Sequence, residues 1–181
     1  MKGIFSFILE IAKTVILALI IVVPIRYFIF QPFVVKGISM TPAFENGDYL
    51  IVDEITYRFK APQRGEVIVF HYPQNTSERF IKRIIGLPGE KITITNGLIE
   101  IIDSNGKDEV LAEDNYIPSQ NLFEKIEISL PDNEYFVLGD NRLHSFDSRS
   151  WGSLPKDYII GRVVARAWPF NALALISAPQ Y

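Results

Sequence analysis

The sequence contains no cysteine and only two histidines, His71 and His144. Without cysteine the chain can have no disulfide framework, no cysteine nucleophile and no thiolate metal site. Two histidines are too few for a three-histidine zinc site, and they leave few candidates for a histidine-based catalytic triad. The 181 residues carry a net charge of −3, so overall charge gives no reason to expect a nucleic-acid partner.

Charge is also nearly absent near the N-terminus. Between Thr14 and Val35 the only charged side chain is Arg26, and residues 15–23 are all apolar. About 20 mostly apolar residues cross a bilayer as a helix. A buried core helix would show polar residues at helical spacing, and a cleavable signal peptide would end in small residues; neither pattern is present. We therefore predict an uncleaved single-pass membrane anchor.

The rest of the chain predicts β structure. Short runs of β-branched and aromatic residues, separated by Gly, Pro and Asn, are typical of strands. We expect single helical turns at 53–59 and 154–158, and either a last strand or an irregular end at 172–178. Asn96-Gly97 is a strong signal for a two-residue hairpin turn. The predicted strands are Asp48–Val52, Glu66–His71, Arg79–Ile85, Lys91–Thr95, Leu98–Ile102, Glu134–Leu138 and Tyr158–Trp168.

Negative charge is concentrated in residues 91–134, which hold ten acidic and three basic residues. We interpret this segment as a solvated insertion. The remaining, mildly basic part of the chain is also compatible with a position near anionic lipid headgroups.

Three clusters of residues could carry chemistry. The first is residues 37–42, where Ser39 taken alone would be an ordinary turn residue. The second is residues 79–90, where Lys82 in an apolar strand pattern is either exposed or a buried amine. The third is residues 139–149, which could form an anion site, a calcium loop or a salt-bridged turn. Arginines interleaved with its aspartates argue against calcium, and we expect no metal there.

Taken together, the clusters resemble the type I signal peptidases, membrane-bound serine endopeptidases that remove signal peptides from exported proteins. The match runs nearly end to end, and several blocks in the same order are far more specific than any one block. The blocks are Gln31-Pro32-Phe33, Ser39-Met40-x-Pro42, Gly47-Asp48-Tyr49-Leu50, Arg64-Gly65-Glu66-Val67, Lys82-Arg83-Ile84-Ile85-Gly86-Leu87-Pro88-Gly89, Gly139-Asp140-Asn141-Arg142-x-x-Ser145-x-Asp147-Ser148-Arg149, Gly161-Arg162-Val163 and Trp168-Pro169.

The resemblance implies a mainly β fold. An antiparallel β-sheet catalytic core would comprise residues 31–90 and 135–181, and 91–134 would be a small acidic β insertion. Residues 1–30 would form one N-terminal transmembrane helix. The protein would be a single-pass cell-membrane protein with its catalytic domain on the extracytoplasmic side.

The resemblance also implies a Ser/Lys dyad, with Ser39 as nucleophile and Lys82 as general base. A serine hydroxyl needs a base, and an ammonium cannot be one, so burial must lower the pKa of Lys82. Asp147 would support the site through a salt bridge with Arg149, and the Ser145 hydroxyl would orient the Lys82 amine. The Ser39 backbone amide is the expected oxyanion donor. Gly37 stands where many relatives carry a serine, so a second donor is not identified.

The expected substrates are signal peptides of exported preproteins, cleaved after small-x-small (Ala-x-Ala) sites, with no cofactor. The peptide would add a strand between residues 33–37 and 79–82. Shallow apolar pockets would admit alanine and exclude larger side chains. The pocket residues implied are Phe33, Val35, Met40, Leu50, Phe80 and Ile81; plain core packing is the alternative, above all for Leu50.

Three other interpretations of the protein's function remain open. A self-cleaving repressor of the SOS type shares the Ser/Lys dyad, but it would need a DNA-binding motif where this chain has its apolar segment. Processing of pilins or other anchored precursors is a second reading. The third is a non-enzymatic anchored β domain or an inactive relative, although Ser39, Lys82 and Asp147 are all present.

Overall fold

A computed structural model of the chain describes residues 2–28, 30–103, 106–111 and 125–179. A long helix, α1 (Lys2–Phe28), opens the chain. Across the described ranges, no helix combines the length and the apolar character that crossing a membrane requires. The transmembrane part of the predicted fold is therefore not confirmed.

The rest of the described chain is mainly antiparallel β-sheet, as predicted. Two sheets account for it, and short helical turns at Thr56–Arg58, Arg142–His144, Lys156–Tyr158 and Phe170–Ala172 join the strands. A second short helix, α2, covers Ser148–Trp151. The strands are β1 (Phe30–Val34), β2 (Tyr49–Asp53), β3 (Val67–Tyr72), β4 (Asn75–Gly86), β5 (Lys91–Thr95), β6 (Leu98–Ile102), β7 (Asp108–Val110), β8 (Lys125–Ser129), β9 (Glu134–Leu138), β10 (Leu154–Pro155), β11 (Ile159–Trp168) and β12 (Ala174–Leu175).

The larger sheet positions the three clusters found in the sequence. Within the described residues its order is β1-β2-β11-β3-β4-β9-β10, with β12 paired to β11. Strand β4 pairs with β3 from Asn75 to Arg83 and with β9 only from Arg83 onward. The segment 75–82 therefore has one edge that no described strand occupies. β1 has another such edge, because β2 is its only partner among the described strands.

The smaller sheet has the order β7-β6-β5-β8 within the described residues. The hairpin of β5 and β6 turns at Asn96 and Gly97, whose φ angles are 52° and 83°. Both residues adopt the left-handed conformation that a tight two-residue hairpin turn requires, so the predicted hairpin is confirmed. Residues 104–105 and 112–124 of the predicted acidic insertion lie outside the described residues, and the division into domains stays a prediction.

Among the described residues, three hydrophobic clusters hold the sheets together. One contains Val35, Met40, Leu50 and Ile81, and a second contains Ile68, Phe70 and Ile84. Because side chains alternate along a strand, β4 sends Ile81 into the first cluster and Ile84 into the second. The third cluster, which includes Ile92, Ile101 and Phe136, covers one face of the smaller sheet.

Candidate active site

Ser39 lies in a turn that follows β1. Gly37, with a φ of 89°, starts the turn in a conformation that glycine adopts without strain. The Gly37 backbone amide donates to Asn46 Oδ1 at 2.9 Å. The Thr41 amide donates to the Ile38 carbonyl at 3.2 Å, which closes the turn around the serine.

Lys82 reaches the serine from β4. Its side chain is only 4% exposed, and Nζ lies 2.8 Å from Ser39 Oγ. Nζ also donates to the backbone carbonyl of Ile81 at 3.0 Å. The structure thus brings the two predicted catalytic residues, 43 positions apart in the sequence, into direct hydrogen-bond contact.

The surroundings of Lys82 favour the neutral amine. Burial lowers its pKa from 10.5 to about 8, against the opposing negative charges of Asp147 and Asp140, which raise it. Desolvation disfavours the ammonium form, and it outweighs the two carboxylates here. An amine with a pKa of about 8 can accept a proton from a hydroxyl near neutral pH, whereas an ordinary lysine cannot.

Each of these two carboxylates forms an ion pair with an arginine. Asp147 is fully buried and receives Arg149 Nε at 2.8 Å, which is the pairing that the resemblance implied. Asp140, also fully buried, receives Arg83 Nε at 2.9 Å and Nη2 at 2.6 Å. The two guanidinium groups reduce the pull of these carboxylates on the lysine proton.

The Ser145 hydroxyl does not make the hydrogen bond to the Lys82 amine that the resemblance implies. It is buried and has no hydrogen-bond partner within the described part of the chain. The Ile81 carbonyl takes the second contact of that amine instead. The Ser145 hydroxyl packs close to Gly139, which has no side chain. A Cβ at this position would collide with that hydroxyl and with the Ser39 carbonyl.

A cleft of about 830 Å³ opens beside the serine. Residues 32–34 and 36–39 line it on one side, and residues 77–82 line it on the other. These segments include the parts of β1 and β4 that have one edge not occupied by any described strand. An extended peptide could therefore reach backbone groups on both sides.

The predicted pocket residues divide into two groups. Phe33, Phe80 and Ile81 line the cleft. Val35, Met40 and Leu50 are at most 2% exposed and are packed in the hydrophobic cluster with Ile81. For these three the structure matches the core-packing alternative, and any contact with substrate stays a prediction.

Sequence reasoning gave no role to several residues at the site. Asp140 and Asn141 belong to the third cluster, but nothing in the sequence tells that Asp140 meets Arg83 or that Asn141 contacts the serine turn. Phe146 in the cleft wall packs edge-on against Phe80, with ring centroids 6.5 Å apart. The other unassigned polar side chains of the cleft are Lys36, Ser77, Glu78, Arg79 and His144.

A serine hydroxyl in contact with a buried amine, beside strand edges that no described strand occupies, fits the class of serine peptidases that use a lysine base. The family described as signal peptidase, peptidase S26, matches residues 8–168, and the chain belongs to this family. Among curated relatives, signal peptidase I of Leptolyngbya laminosa is 41% identical, over 92% of this chain and 83% of its own. Signal peptidase I of Bacillus caldolyticus is 37% identical, and the match covers 87% of this chain and 90% of the relative. A crystal structure of a signal peptidase I from Enterococcus faecalis is 34% identical and covers 57% of this chain and 97% of its own, with a TM-score of 0.47.

Proposed function

We propose that this chain is a membrane-bound serine endopeptidase that cleaves N-terminal signal peptides from exported preproteins, using Ser39 as nucleophile and neutral Lys82 as general base. The observation that carries the proposal is the 2.8 Å contact between Ser39 Oγ and the Nζ of a buried lysine. Membership of the signal peptidase family and the names of the curated relatives support the choice of substrate.

The reaction begins when Lys82 Nζ removes the proton from Ser39 Oγ as the oxygen attacks the scissile carbonyl carbon. The resulting oxyanion needs a donor, and we assign this role to the Ser39 backbone amide. The ammonium of Lys82 then protonates the leaving amine, which departs as the mature protein. Lys82 next deprotonates a water molecule that hydrolyses the acyl ester, releasing the signal peptide and restoring the serine.

The substrate lies extended in the cleft, between residues 33–37 and 79–82. Both segments have backbone edges that no described strand occupies, so main-chain hydrogen bonds can hold a peptide of variable sequence. Small side chains are selected because Phe33, Phe80 and Ile81 line the cleft above a filled core. This steric limit supports cleavage after small-x-small sites.

Association with a lipid bilayer follows from the exposed apolar surface. Among the described apolar side chains of α1, Ile4, Phe7, Leu17 and Ile20 are each 60% exposed or more. An exposed apolar surface of this extent is normally covered by lipid or protein. On the β-sheet body, Trp168 and Phe170 form an exposed aromatic pair with centroids 4.5 Å apart. We propose that lipid covers these surfaces and that the body faces the extracytoplasmic side, where exported precursors emerge.

The test uses the purified full chain and a synthetic precursor with an Ala-x-Ala site, with products identified by mass spectrometry. We expect Ser39→Ala and Lys82→Ala each to lower turnover by at least about 10³-fold, since each removes a member of the reacting pair. Ser129→Ala and Lys107→Ala are matched controls, because both residues are exposed on the smaller sheet or its loop. Turnover by Ser39→Ala at the wild-type rate would disprove the serine mechanism.

A further inference from the structure

Asn141 joins the third cluster to the turn that carries Ser39. Its backbone amide donates to the Ser39 carbonyl at 3.0 Å. Its side-chain Nδ2 donates to the Ile38 carbonyl at 3.2 Å, across 103 positions of sequence. The carbonyls on both sides of the serine are therefore held by one residue.

The Ile38 contact bears on the direction of the Ser39 amide. The Ile38–Ser39 peptide is not among the cis bonds of the described chain. In a trans peptide the carbonyl and the N–H of the same planar unit point in opposite directions. A donor that fixes the Ile38 carbonyl therefore also fixes the Ser39 N–H on the other side.

The side-chain amide of Asn141 is itself oriented from its other end. His144 Nδ1 lies 3.2 Å from Asn141 Oδ1. The His144 backbone amide donates to the Asn141 carbonyl at 3.1 Å. With Oδ1 engaged by His144, Nδ2 is the atom that faces Ile38.

We propose that Asn141 is a positioning residue that aims the Ser39 backbone amide at the oxyanion of the transition state. This inference rests on the proposed function, because it needs Ser39 to be the nucleophile. Asn141 acts through the Ile38–Ser39 peptide rather than on the substrate. Its side chain matters most when negative charge develops on the substrate oxygen, so it should affect kcat rather than substrate affinity.

The expected effect is moderate. Loss of an oxyanion donor itself typically lowers kcat by about 10²- to 10³-fold. The Thr41 amide still holds the Ile38 carbonyl when the Asn141 side chain is removed. We therefore expect a loss of about tenfold when the side-chain donor alone is lost.

The experiment compares Asn141→Leu, which is uncharged and of similar size, with the wild-type full chain on the synthetic precursor. We expect kcat to fall about tenfold while KM changes less than about twofold and the pH midpoint of activity stays in place. Asn141→Asp is the second variant, because it keeps an acceptor toward His144 but lacks the donor. Its kcat on the high-pH plateau should fall at least as far.

Gln63→Leu is the control for loss of a surface amide, since Gln63 is exposed in the loop before β3. Wild-type kcat in both Asn141 variants, with Ser39→Ala inactive, would overturn the positioning role and leave the proposed function intact. A loss confined to KM, or a shift of the pH midpoint in Asn141→Leu, would also overturn it. Activity in Ser39→Ala would instead remove the proposed function on which the inference depends.

Discussion

At the scale of single residues, Lys82 shows a conflict between stability and chemistry. Its pKa falls from 10.5 in the unfolded chain to about 8 in the fold, which corresponds to roughly 3 kcal/mol of unfavourable burial at neutral pH. Between these two pKa values the unfolded chain binds more protons than the folded one. The stability that depends on Lys82 therefore increases as the pH rises through this window, and below it the buried ammonium is a cost.

The same pKa sets the expected pH dependence of activity. Only the neutral amine can take the serine proton, so kcat/KM should rise about tenfold per pH unit below about 8 and level off above it. The measurement is a pH profile of precursor cleavage in which single-turnover kinetics establish that chemistry limits the rate. A flat profile from about pH 5 to 9 would contradict a lysine base.

The sequence was sufficient to select Ser39 and Lys82 as a candidate pair, and their side chains are in contact, but it did not predict what surrounds them. Ser39 and Lys82 could be paired because both lie in blocks that match the type I signal peptidases. The Arg83–Asp140 pair spans 57 positions and forms only when β4 and β9 lie side by side. The position of the Ser145 hydroxyl depends on side-chain packing against Gly139, which no spacing rule describes.

At the scale of secondary-structure elements, the predicted strands are confirmed where apolar runs are bounded by turn residues. β9 and the hairpin of β5 and β6 have the predicted bounds. β4 begins at Asn75, four residues before the predicted strand, because pairing with β3 extends into a polar, exposed segment. Only Phe30, the first residue of β1, lies in the predicted anchor 1–30; the rest of β1 lies in the predicted core but was not among the predicted strands, and it pairs with β2. Such pairings are long-range contacts, so local pattern cannot reveal them.

The end of β9 gives a prediction about close packing. Gly139 follows β9, and a Cβ there would collide with the Ser145 hydroxyl and the Ser39 carbonyl. We expect Gly139→Ala to displace the serine turn and lower kcat by at least about tenfold, since small shifts of reacting groups are costly. Steady-state kinetics on the precursor measure the effect, and Gly3→Ala, where nothing lies within 4 Å of the added Cβ, is the control. Unchanged kcat in Gly139→Ala would show that the turn adapts without loss.

At the scale of the whole molecule, Ser39 follows closely after the end of the long N-terminal helix α1. α1 ends at Phe28, and Ser39 follows only eleven residues later in the sequence. Each extended residue spans about 3.3 Å, so the serine lies within a few tens of ångströms of the helix end. A signal peptide has its own apolar helix just before the cleavage site, so enzyme and substrate would meet at the same surface if lipid covers both.

This arrangement predicts that lipid binding depends on α1. Leu17 is 60% exposed in the middle of the helix, and replacing an apolar residue by aspartate in a lipid-buried helix costs about 3 kcal/mol. We expect Leu17→Asp to reduce the fraction of full-length protein that floats with phospholipid vesicles in a density gradient. Leu98→Asp is the matched control, because Leu98 is 62% exposed but lies on the smaller sheet. If α1 contacts lipid, only Leu17→Asp should lower the floating fraction. An equal loss in both variants would refute a specific role of the helix. An unchanged floating fraction in Leu17→Asp would refute it as well.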